Sequence, residues 1–242
     1  LAWAGMYGMR WMHEFGIEPE HIGWYPVVLR ENAQRNPKAI FHDKPMTHQD
    51  YMESPMIVEP LRLFDCCVDT DGAAAVVVTT AERAKDLKQP PAHILAAAQS
   101  CPPEQEIQTS YNRPIMSGLP ETWYMAQALF RVAGVSPADI DVAQLYDPFS
   151  LGGLVQLEEL GFCERGEGAA FCDGGDRIRP DGELPLNTSG GLLSEAYIHG
   201  YNLITEAVRQ IRGTSTSQVE NAELSLVTGG PGVPSSGLIL RR

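Results

Sequence analysis

The chain has 242 residues, of which 43% are hydrophobic and 20% are charged, and its formal net charge is −13. This size and balance predict one large or two small globular domains, and acidity without a basic stripe excludes a typical nucleic-acid-binding protein. No apolar run approaches the ~20 residues of a membrane span, and the first residues lack a signal-peptide pattern. The first residue is Leu1 rather than Met, so we expect the chain to begin inside a longer protein.

The cysteines are odd in number and show neither a disulfide framework nor zinc-finger spacing. We therefore expect free thiols in a reducing cytoplasm, and no metal site. The five positions are Cys66, Cys67, Cys101, Cys163 and Cys172.

The first part of the chain predicts helix and irregular structure rather than a sheet. Residues 1–16 indicate a helix that ends at Gly16, a residue type that often terminates helices. Residues 17–60 contain six prolines and are expected to be irregular, apart from short helical patches such as PVVLRENAQRN. We expect this segment to pack over another part of the protein.

From residue 71 onward, β-branched apolar runs alternate with amphipathic segments, which predicts an α/β fold with a mixed sheet covered by helices. In the predicted helix over 120–134, Pro120 suits the first turn and Gly134 the stop. The predicted segments, in chain order, are a buried strand at 71–80, a helical turn at 81–87, a strand at 93–100, a loop at 101–118, a helix at 120–134, a strand at 141–146, a helix at 151–161, a loop at 164–186, a helix at 201–213, and strands at 222–230 and 235–242.

Four ordered motifs between about residue 60 and the end of the chain resemble those of the thiolase superfamily, in particular its thiolase-like lipid-transfer-protein branch. They are DGAAAVVV, DIDVAQLYDPFS, NTSGGLLSEAYIHG and VTGGPGVPSSGLIL. The resemblance implies a thiolase-like fold whose C-terminal half is complete and whose N-terminal half is largely absent. It divides the chain into part of the loop domain (1–70), the last strand of the N-terminal half with a linker (71–92), and the C-terminal half (93–242).

The chain departs from thiolases at the positions that carry their chemistry. Aligning the Asn and the paired glycines puts Tyr197 where thiolases have a catalytic His, and aligning Phe149 puts Tyr146 where they have an Asn. Val227 or Thr228 lies near the place of the second catalytic Cys, and the nucleophilic Cys of the N-terminal half has no counterpart in the chain. These two tyrosines and the Tyr-Ile-His-Gly turn resemble the steroid side-chain-cleaving aldolases.

That resemblance implies a carbon–carbon lyase that cleaves the β-hydroxyacyl-CoA of a sterol or bile-acid side chain by a retro-aldol reaction. The products would be a ketone and a short acyl-CoA such as propionyl-CoA, with no covalently bound cofactor. It also implies a homodimer and a partner subunit built from a zinc ribbon and an OB-fold. Two alternatives stay open: a thiolase-type acyl-CoA acyltransferase, and a non-catalytic lipid- or acyl-CoA-binding subunit.

The resemblance also implies the candidate site residues, and retro-aldol cleavage needs a base, an acid and enolate stabilisation from them. Tyr146 and Tyr197 are expected to share the acid and base roles, with His199 acting directly or orienting a tyrosine. Ser194 is expected to cap a helix, and Glu158 with Glu159 to face solvent. The residues predicted to bind substrate are Gly190, Gly191, Gly229 and Gly230, whose N–H groups suit a thioester oxygen, and Asp147, whose carboxylate also suits a bond to nearby turn backbone.

Overall fold

The computed structural model describes residues 1–103, 107, 109–230, 232 and 234–242. Parts of the predicted 101–118 loop and of the motif VTGGPGVPSSGLIL therefore lie outside the described residues. No helix in the described ranges is both long and apolar enough to cross a membrane. The helices within those ranges are α1 (Ala2–Phe15), α2 (Pro19–Ile22), α3 (Trp24–Arg35), α4 (His48–Glu53), α5 (Ala81–Ala84), α6 (Pro120–Ala133), α7 (Ser150–Glu159), α8 (Gly168–Cys172), α9 (Gly191–Ser194) and α10 (Tyr201–Arg212).

The main sheet is mixed, as predicted, and has the strand order β3-β6-β5-β4. Strand β6 pairs antiparallel with both β3 and β5, whereas β4 and β5 are parallel. Beyond β4, a parallel bridge between Ala143 and Leu186 continues the sheet by a single residue pair. The strands of the chain are β1 (Met56–Val58), β2 (Leu61–Arg62), β3 (His93–Ser100), β4 (Val142–Gln144), β5 (Leu224–Gly229) and β6 (Ser235–Arg241).

Helices cover both faces of this sheet, because successive side chains of a strand point to opposite faces. On β6, Ile239 belongs to the large core that also includes residues of α6, while Leu240 belongs to the cluster formed with α10. Gly237 is required by the close approach of α6, since a Cβ atom there would lie 2.4 Å from Met125 Sδ. The α/β fold with a helix-covered mixed sheet is therefore confirmed.

Helix ends follow the predicted signals. Gly16, Gly134 and Gly213 follow α1, α6 and α10 in the left-handed conformation, with φ of 66°, 71° and 70°. Only a residue without a Cβ adopts this conformation readily, so these glycines end the helices where the sequence predicts.

One expectation for the N-terminal part needs correction. Residues 17–60 are more helical than predicted, because α2, α3 and α4 lie within them. Their prolines fall at helix starts or between helices, and helix-breaking residues are tolerated there. The predicted packing over another part of the protein holds, since α3 packs against α7, α8 and α9. The predicted 164–186 loop likewise contains the short helix α8.

The predicted buried strand at 71–80 is wrong. These residues are neither in a strand nor buried, and Val77 is 90% exposed. A strand is stabilised by a ladder of hydrogen bonds to a neighbour, and within the described ranges no strand runs beside this segment. Its β-branched side chains therefore remain on the surface.

Candidate active site

The site lies at the edge of the sheet where the parallel strands β4 and β5 end, a usual location for sites in open α/β sheets. Tyr146 follows β4, and its N–H donates to Thr228 Oγ1 on β5 at 2.9 Å. Thr228 Oγ1 in turn donates to Gln156 Oε1 at 2.6 Å, and Gln156 Nε2 donates back to the Tyr146 carbonyl at 2.8 Å. Both backbone polar groups of Tyr146 are thereby fixed by two buried side chains.

A second turn reaches the same edge because residues 185–187 run alongside β4. The N–H of Asn187 donates to the Ala143 carbonyl at 3.0 Å. The Asn187 side chain accepts from Leu145 N–H at 2.6 Å and donates to the Leu145 carbonyl at 2.9 Å. The left-handed backbone of Asn187, with φ of 42°, then directs the chain into α9, and asparagine tolerates this conformation better than most residues.

Gly190, Gly191 and Asp147, which the sequence predicts to bind substrate, are buried, and their contact with substrate stays a prediction. A Cβ atom on Gly190 would lie 2.8 Å from Ala33 Cβ, so the first glycine allows the close approach of α3. A Cβ atom on Gly191 would lie 2.7 Å from Asn187 Nδ2 and 2.8 Å from Asp147 Oδ2. The paired glycines therefore make room for protein groups in the interior.

The Asp147 carboxyl group bonds to the backbone at the start of α9, and the sequence also predicted a bond from this side chain to nearby backbone. Its Oδ1 accepts from Leu192 N–H at 2.9 Å, at the start of α9. Among the described residues its Oδ2 has no hydrogen-bond partner. Burial raises the pKa of Asp147 to about 8, because a carboxylate loses its hydration in the interior.

The two predicted tyrosines meet. Tyr146 Oη and Tyr197 Oη lie 2.8 Å apart, and either can donate. Their rings are arranged edge to face, with centroids 6.2 Å apart. Burial, followed by the hydrogen bond to Tyr197, raises the pKa of Tyr146. Tyr146 therefore holds its proton and is a hydrogen-bond donor at neutral pH.

The turn that carries Tyr197 also carries His199. The His199 ring is exposed and lies against the Tyr197 ring, with centroids 4.7 Å apart. His199 itself adopts a left-handed backbone with φ of 45°. Gly200 follows with φ of 83°, and a Cβ atom on it would lie 3.0 Å from Tyr146 Cδ2. The imidazole is thus placed to orient Tyr197, while the glycine lets the turn close over Tyr146.

A cleft of about 340 Å³ opens beside this turn, between α10 and the ends of β5 and β6. Its volume is within the usual range for small-molecule sites. Gly229 lines it, whereas Gly230 lies next in the chain with a left-handed φ of 73°. Contact of these two glycines with substrate stays a prediction. The lining residues are His199, Gly200, Tyr201, Ile204, Val227, Thr228, Gly229, Ser236, Gly237 and Leu238.

All five cysteines are free thiols. Cys67 packs in the same cluster as the two tyrosines, and sequence reasoning did not single it out. Burial raises the pKa of the Cys67 thiol, which opposes the thiolate form that a nucleophile requires. Within the described ranges no group of three or more His, Cys, Asp or Glu side chains could hold a metal ion.

Three polar residues have other roles than predicted. Ser194 lies at the end of α9, not at a helix start, and its Oγ accepts from Arg30 Nε at 3.0 Å. Glu158 and Glu159 are buried, and hydrogen bonds compensate for their lost hydration. The Trp11 indole donates to Glu158 Oε1 at 3.1 Å, and the Leu119 N–H donates to Glu159 Oε1 at 2.9 Å. They connect α7 to α1 and to the segment before α6.

Sequence reasoning missed the residues that hold the tyrosines. Gln156 is a lone amide in the apolar run LGGLVQLEEL, and an uncharged polar residue in such a run is a signal for a buried hydrogen bond. Thr70 accepts from Tyr197 N–H at 3.1 Å across 127 positions, and no local pattern indicates this contact.

Comparison with known proteins agrees with this fold. The chain is 52% identical over 239 residues to the 17-hydroxy-3-oxo-4-pregnene-20-carboxyl-CoA lyase of Mycobacterium tuberculosis, covering 99% of this chain and 62% of the lyase. It is 50% identical over 238 residues to the steroid side-chain-cleaving aldolase of Thermomonospora curvata, covering 98% of this chain and 61% of the aldolase. The solved Ltp2-ChsH2(DUF35) aldolase superposes with a TM-score of 0.95 at 48% identity, covering 99% of this chain and 62% of that one.

The chain thus spans about three fifths of the length of these relatives. A family model described as thiolase C-terminal domain-like matches residues 112–241, which include α6, α7, α10 and the strands β4 to β6. The predicted resemblance is confirmed, and the chain belongs to the thiolase C-terminal domain-like family.

Proposed function

We propose that the protein containing this chain is a carbon–carbon lyase that cleaves a β-hydroxyacyl-CoA by a retro-aldol reaction. The observation that carries the proposal is the 2.8 Å contact between Tyr146 Oη and Tyr197 Oη. Two phenols in hydrogen-bond contact can exchange a proton, whereas neither can form the acyl-thioester of a thiolase. The CoA thioester is the substrate, and the reaction needs no covalently bound cofactor.

The cleavage balances without an oxidant or an acyl-enzyme. A base removes the proton of the β-hydroxyl group, the bond between the α and β carbons breaks, and the β carbon becomes the carbonyl of a ketone. The electron pair of that bond forms the enolate of the departing thioester. The enolate then takes one proton at its α carbon, so the protons lost and gained are equal.

The environments of the tyrosines suggest how the roles divide. Tyr146 holds its proton because burial raises its pKa, so we assign it as the acid that protonates the enolate. Tyr197 lies on the turn that borders the cleft and takes the β-hydroxyl proton as it passes its own phenolic proton to Tyr146 through the hydrogen bond between their hydroxyl groups. Tyr146 gives its proton to the enolate in the same relay, so both tyrosines end protonated. His199 orients the Tyr197 ring against which it lies.

The substrate class and the partner rest on the relatives. One relative is named as a lyase of 17-hydroxy-3-oxo-4-pregnene-20-carboxyl-CoA, which supports a steroid side chain as substrate and a ketone with a short acyl-CoA as products. The solved relative is a complex of two named components, which supports a partner subunit for this protein. A zinc-ribbon and OB-fold architecture for that partner, and a homodimer of this chain, remain predictions.

The predicted division of the chain into residues 1–70, 71–92 and 93–242 is also retained as a proposal. All four strands of the main sheet lie between His93 and Arg241, which supports a C-terminal half that begins near residue 93. The exposure of Val77 and Val78 supports the assignment of 71–92 to a different half, whose strands this segment would join.

Product analysis tests the proposal. The complete enzyme, with its partner subunit, is incubated with a steroid β-hydroxyacyl-CoA, and in parallel with a β-ketoacyl-CoA plus free CoA. Equal amounts of ketone and short acyl-CoA from the first mixture, and no thiolysis in the second, are expected. Thiolysis without cleavage of the hydroxyacyl-CoA would make the protein an acyltransferase, and binding without turnover of either would make it a non-catalytic subunit.

Thr228→Val is expected to lower kcat by about tenfold to a hundredfold, because small displacements of a reacting group are costly. The substitution removes the hydroxyl that joins Tyr146 N–H to Gln156 Oε1. A matched control is Thr122→Val, which removes a buried hydroxyl bonded to Ser235 Oγ. Both variants should lose roughly 1–3 kcal/mol of unfolding free energy, but only Thr228→Val should lose turnover. Equal kcat in both would contradict the role of Thr228.

A further inference from the structure

The turn that carries Tyr197 and His199 begins at a buried carboxylate. Glu195 is 6% exposed, and its Oε2 accepts from Ser189 Oγ at 2.6 Å and from Asn202 Nδ2 at 3.0 Å. Its Oε1 accepts from Asn36 Nδ2 at 3.2 Å. One side chain therefore joins the turn before α9, the end of α3 and the start of α10.

Asn202 closes the other end of the same turn. Its Nδ2 donates both to Glu195 Oε2 and to the Ala196 carbonyl, each at 3.0 Å. Residues 197–200 are thus held between two buried side chains that bond to each other. No other pair of side chains among the described residues bonds across the turn in this way.

The backbone around Glu195 is fixed as well. Its carbonyl accepts from Ile40 N–H at 2.9 Å, and its N–H donates to the Gly191 carbonyl at 3.0 Å. Arg209 Nη1 lies 3.8 Å from Glu195 Oε1 and partly balances the carboxylate. A buried carboxylate is costly, and burial raises the pKa of Glu195. Three hydrogen-bond donors and the Arg209 guanidinium nevertheless surround it.

Glu195 could serve only the stability of the fold, or it could also position the turn that carries Tyr197. Comparison with a neighbouring buried carboxylate distinguishes these two roles. Glu206 is also a buried carboxylate next to Arg209. It accepts from Thr188 Oγ1 at 2.8 Å and from Ser215 Oγ at 2.5 Å. It bonds to Thr188 before α9, to the body of α10 and to the loop after it, and none of these hydrogen bonds reaches residues 196–200. Glu206 is therefore a matched control for Glu195.

We propose that Glu195 and Asn202 are positioning residues that hold the 196–200 turn so that the hydroxyl group of Tyr197 stays in contact with that of Tyr146. The proposal rests on the proposed function for its effect on turnover. It assigns the two residues no contact with substrate.

Glu195→Gln is the sharpest test because it keeps the shape of the side chain. Asn36 Nδ2 and Asn202 Nδ2 donate to different oxygens of Glu195. In either orientation of a glutamine side chain, its NH₂ group therefore faces the NH₂ group of Asn36 or of Asn202. In the complete enzyme we expect kcat to fall by about a hundredfold, with KM changed less than about twofold. Asn202→Leu, which keeps the volume and removes the donor, should act in the same direction.

Glu206→Gln should leave kcat and KM close to those of the wild type, although it costs stability. Equal losses of kcat in the Glu195 and Glu206 variants would show that Glu195 acts only through the stability of the fold, and would contradict the proposal. Unchanged kcat in both Glu195→Gln and Asn202→Leu would overturn the proposal outright.

Amide hydrogen exchange separates this proposal from the proposed function. In Glu195→Gln, the amides of residues 196–200 should exchange about tenfold faster or more, because a hydrogen bond to a charged acceptor is lost. The amides in the middle of α10 should be unchanged. If the wild-type enzyme cleaves no hydroxyacyl-CoA but the variant turn exchanges faster selectively, the proposed function fails and the positioning role of Glu195 stands. If the variant turn exchanges as in the wild type, that positioning role is contradicted.

Discussion

Replacing Tyr197 with phenylalanine is expected to reduce lyase turnover by roughly 10² to 10⁴, the usual contribution of a positioned acid or base. The substitution removes only the hydroxyl group that contacts Tyr146 Oη. The ring keeps its place between Tyr146 and His199, so the fold should survive. KM should change little, because the lost interaction acts on the transferred proton.

The measurement is steady-state cleavage by the complete enzyme, with far-ultraviolet circular dichroism to verify the fold. Tyr124→Phe is the matched control, because Tyr124 is 45% exposed on α6 and distant in sequence from both tyrosines. We expect wild-type kcat for this control. Wild-type turnover by Tyr197→Phe would remove Tyr197 from the mechanism.

Asp147→Asn is expected to flatten the dependence of stability on pH. The folded-state pKa of Asp147 is raised to about 8 by burial, whereas an unfolded Asp titrates near 3.9. Between these values the folded state binds the proton and the unfolded state does not. The contribution of this carboxyl to stability is therefore full below about pH 4 and is lost as pH rises toward 8, by at most about 1.4 kcal/mol per pH unit.

Urea unfolding of wild type and Asp147→Asn from pH 5 to pH 9 measures this difference. The asparagine resembles the protonated acid and keeps the oxygen that accepts from Leu192 N–H, so the variant should be the more stable protein at pH 8. Asp65→Asn is the contrasting variant. Asp65 accepts from Tyr51 Oη, Ser150 Oγ and Arg62 N–H, and an amide there should destabilise the fold across this pH range. A parallel pH profile for wild type and Asp147→Asn would contradict the buried, protonated state.

Local patterns were sufficient for the sheet and the main helices. Strands β3, β5 and β6 coincide with apolar runs rich in β-branched or small residues, and α6 begins at Pro120 and ends before Gly134. The two tyrosines were also predictable, because aligning Asn187 and Phe149 with the thiolase motifs puts Tyr197 and Tyr146 at catalytic positions of that family. Their contact at 2.8 Å was not, since it joins residues 51 positions apart.

The failures share a physical cause, which is packing between segments distant in the chain. Glu158 lies on an apparent polar stripe of α7, but α1 covers that stripe and the Trp11 indole bonds to it. The segment 71–80 has a clear strand pattern, but a pattern cannot supply the neighbouring strand that it needs.

The central claim is that Tyr146 and Tyr197 transfer the protons of a cleavage that passes through no acyl-enzyme. Intact-mass spectrometry of the complete enzyme, acid-quenched during steady-state turnover of a steroid β-hydroxyacyl-CoA, tests it most directly. We predict that the subunit containing this chain keeps its unmodified mass while ketone and short acyl-CoA accumulate. A species heavier by the mass of the acyl group, formed and lost at the rate of turnover, would contradict the account and establish covalent thiolase-type catalysis.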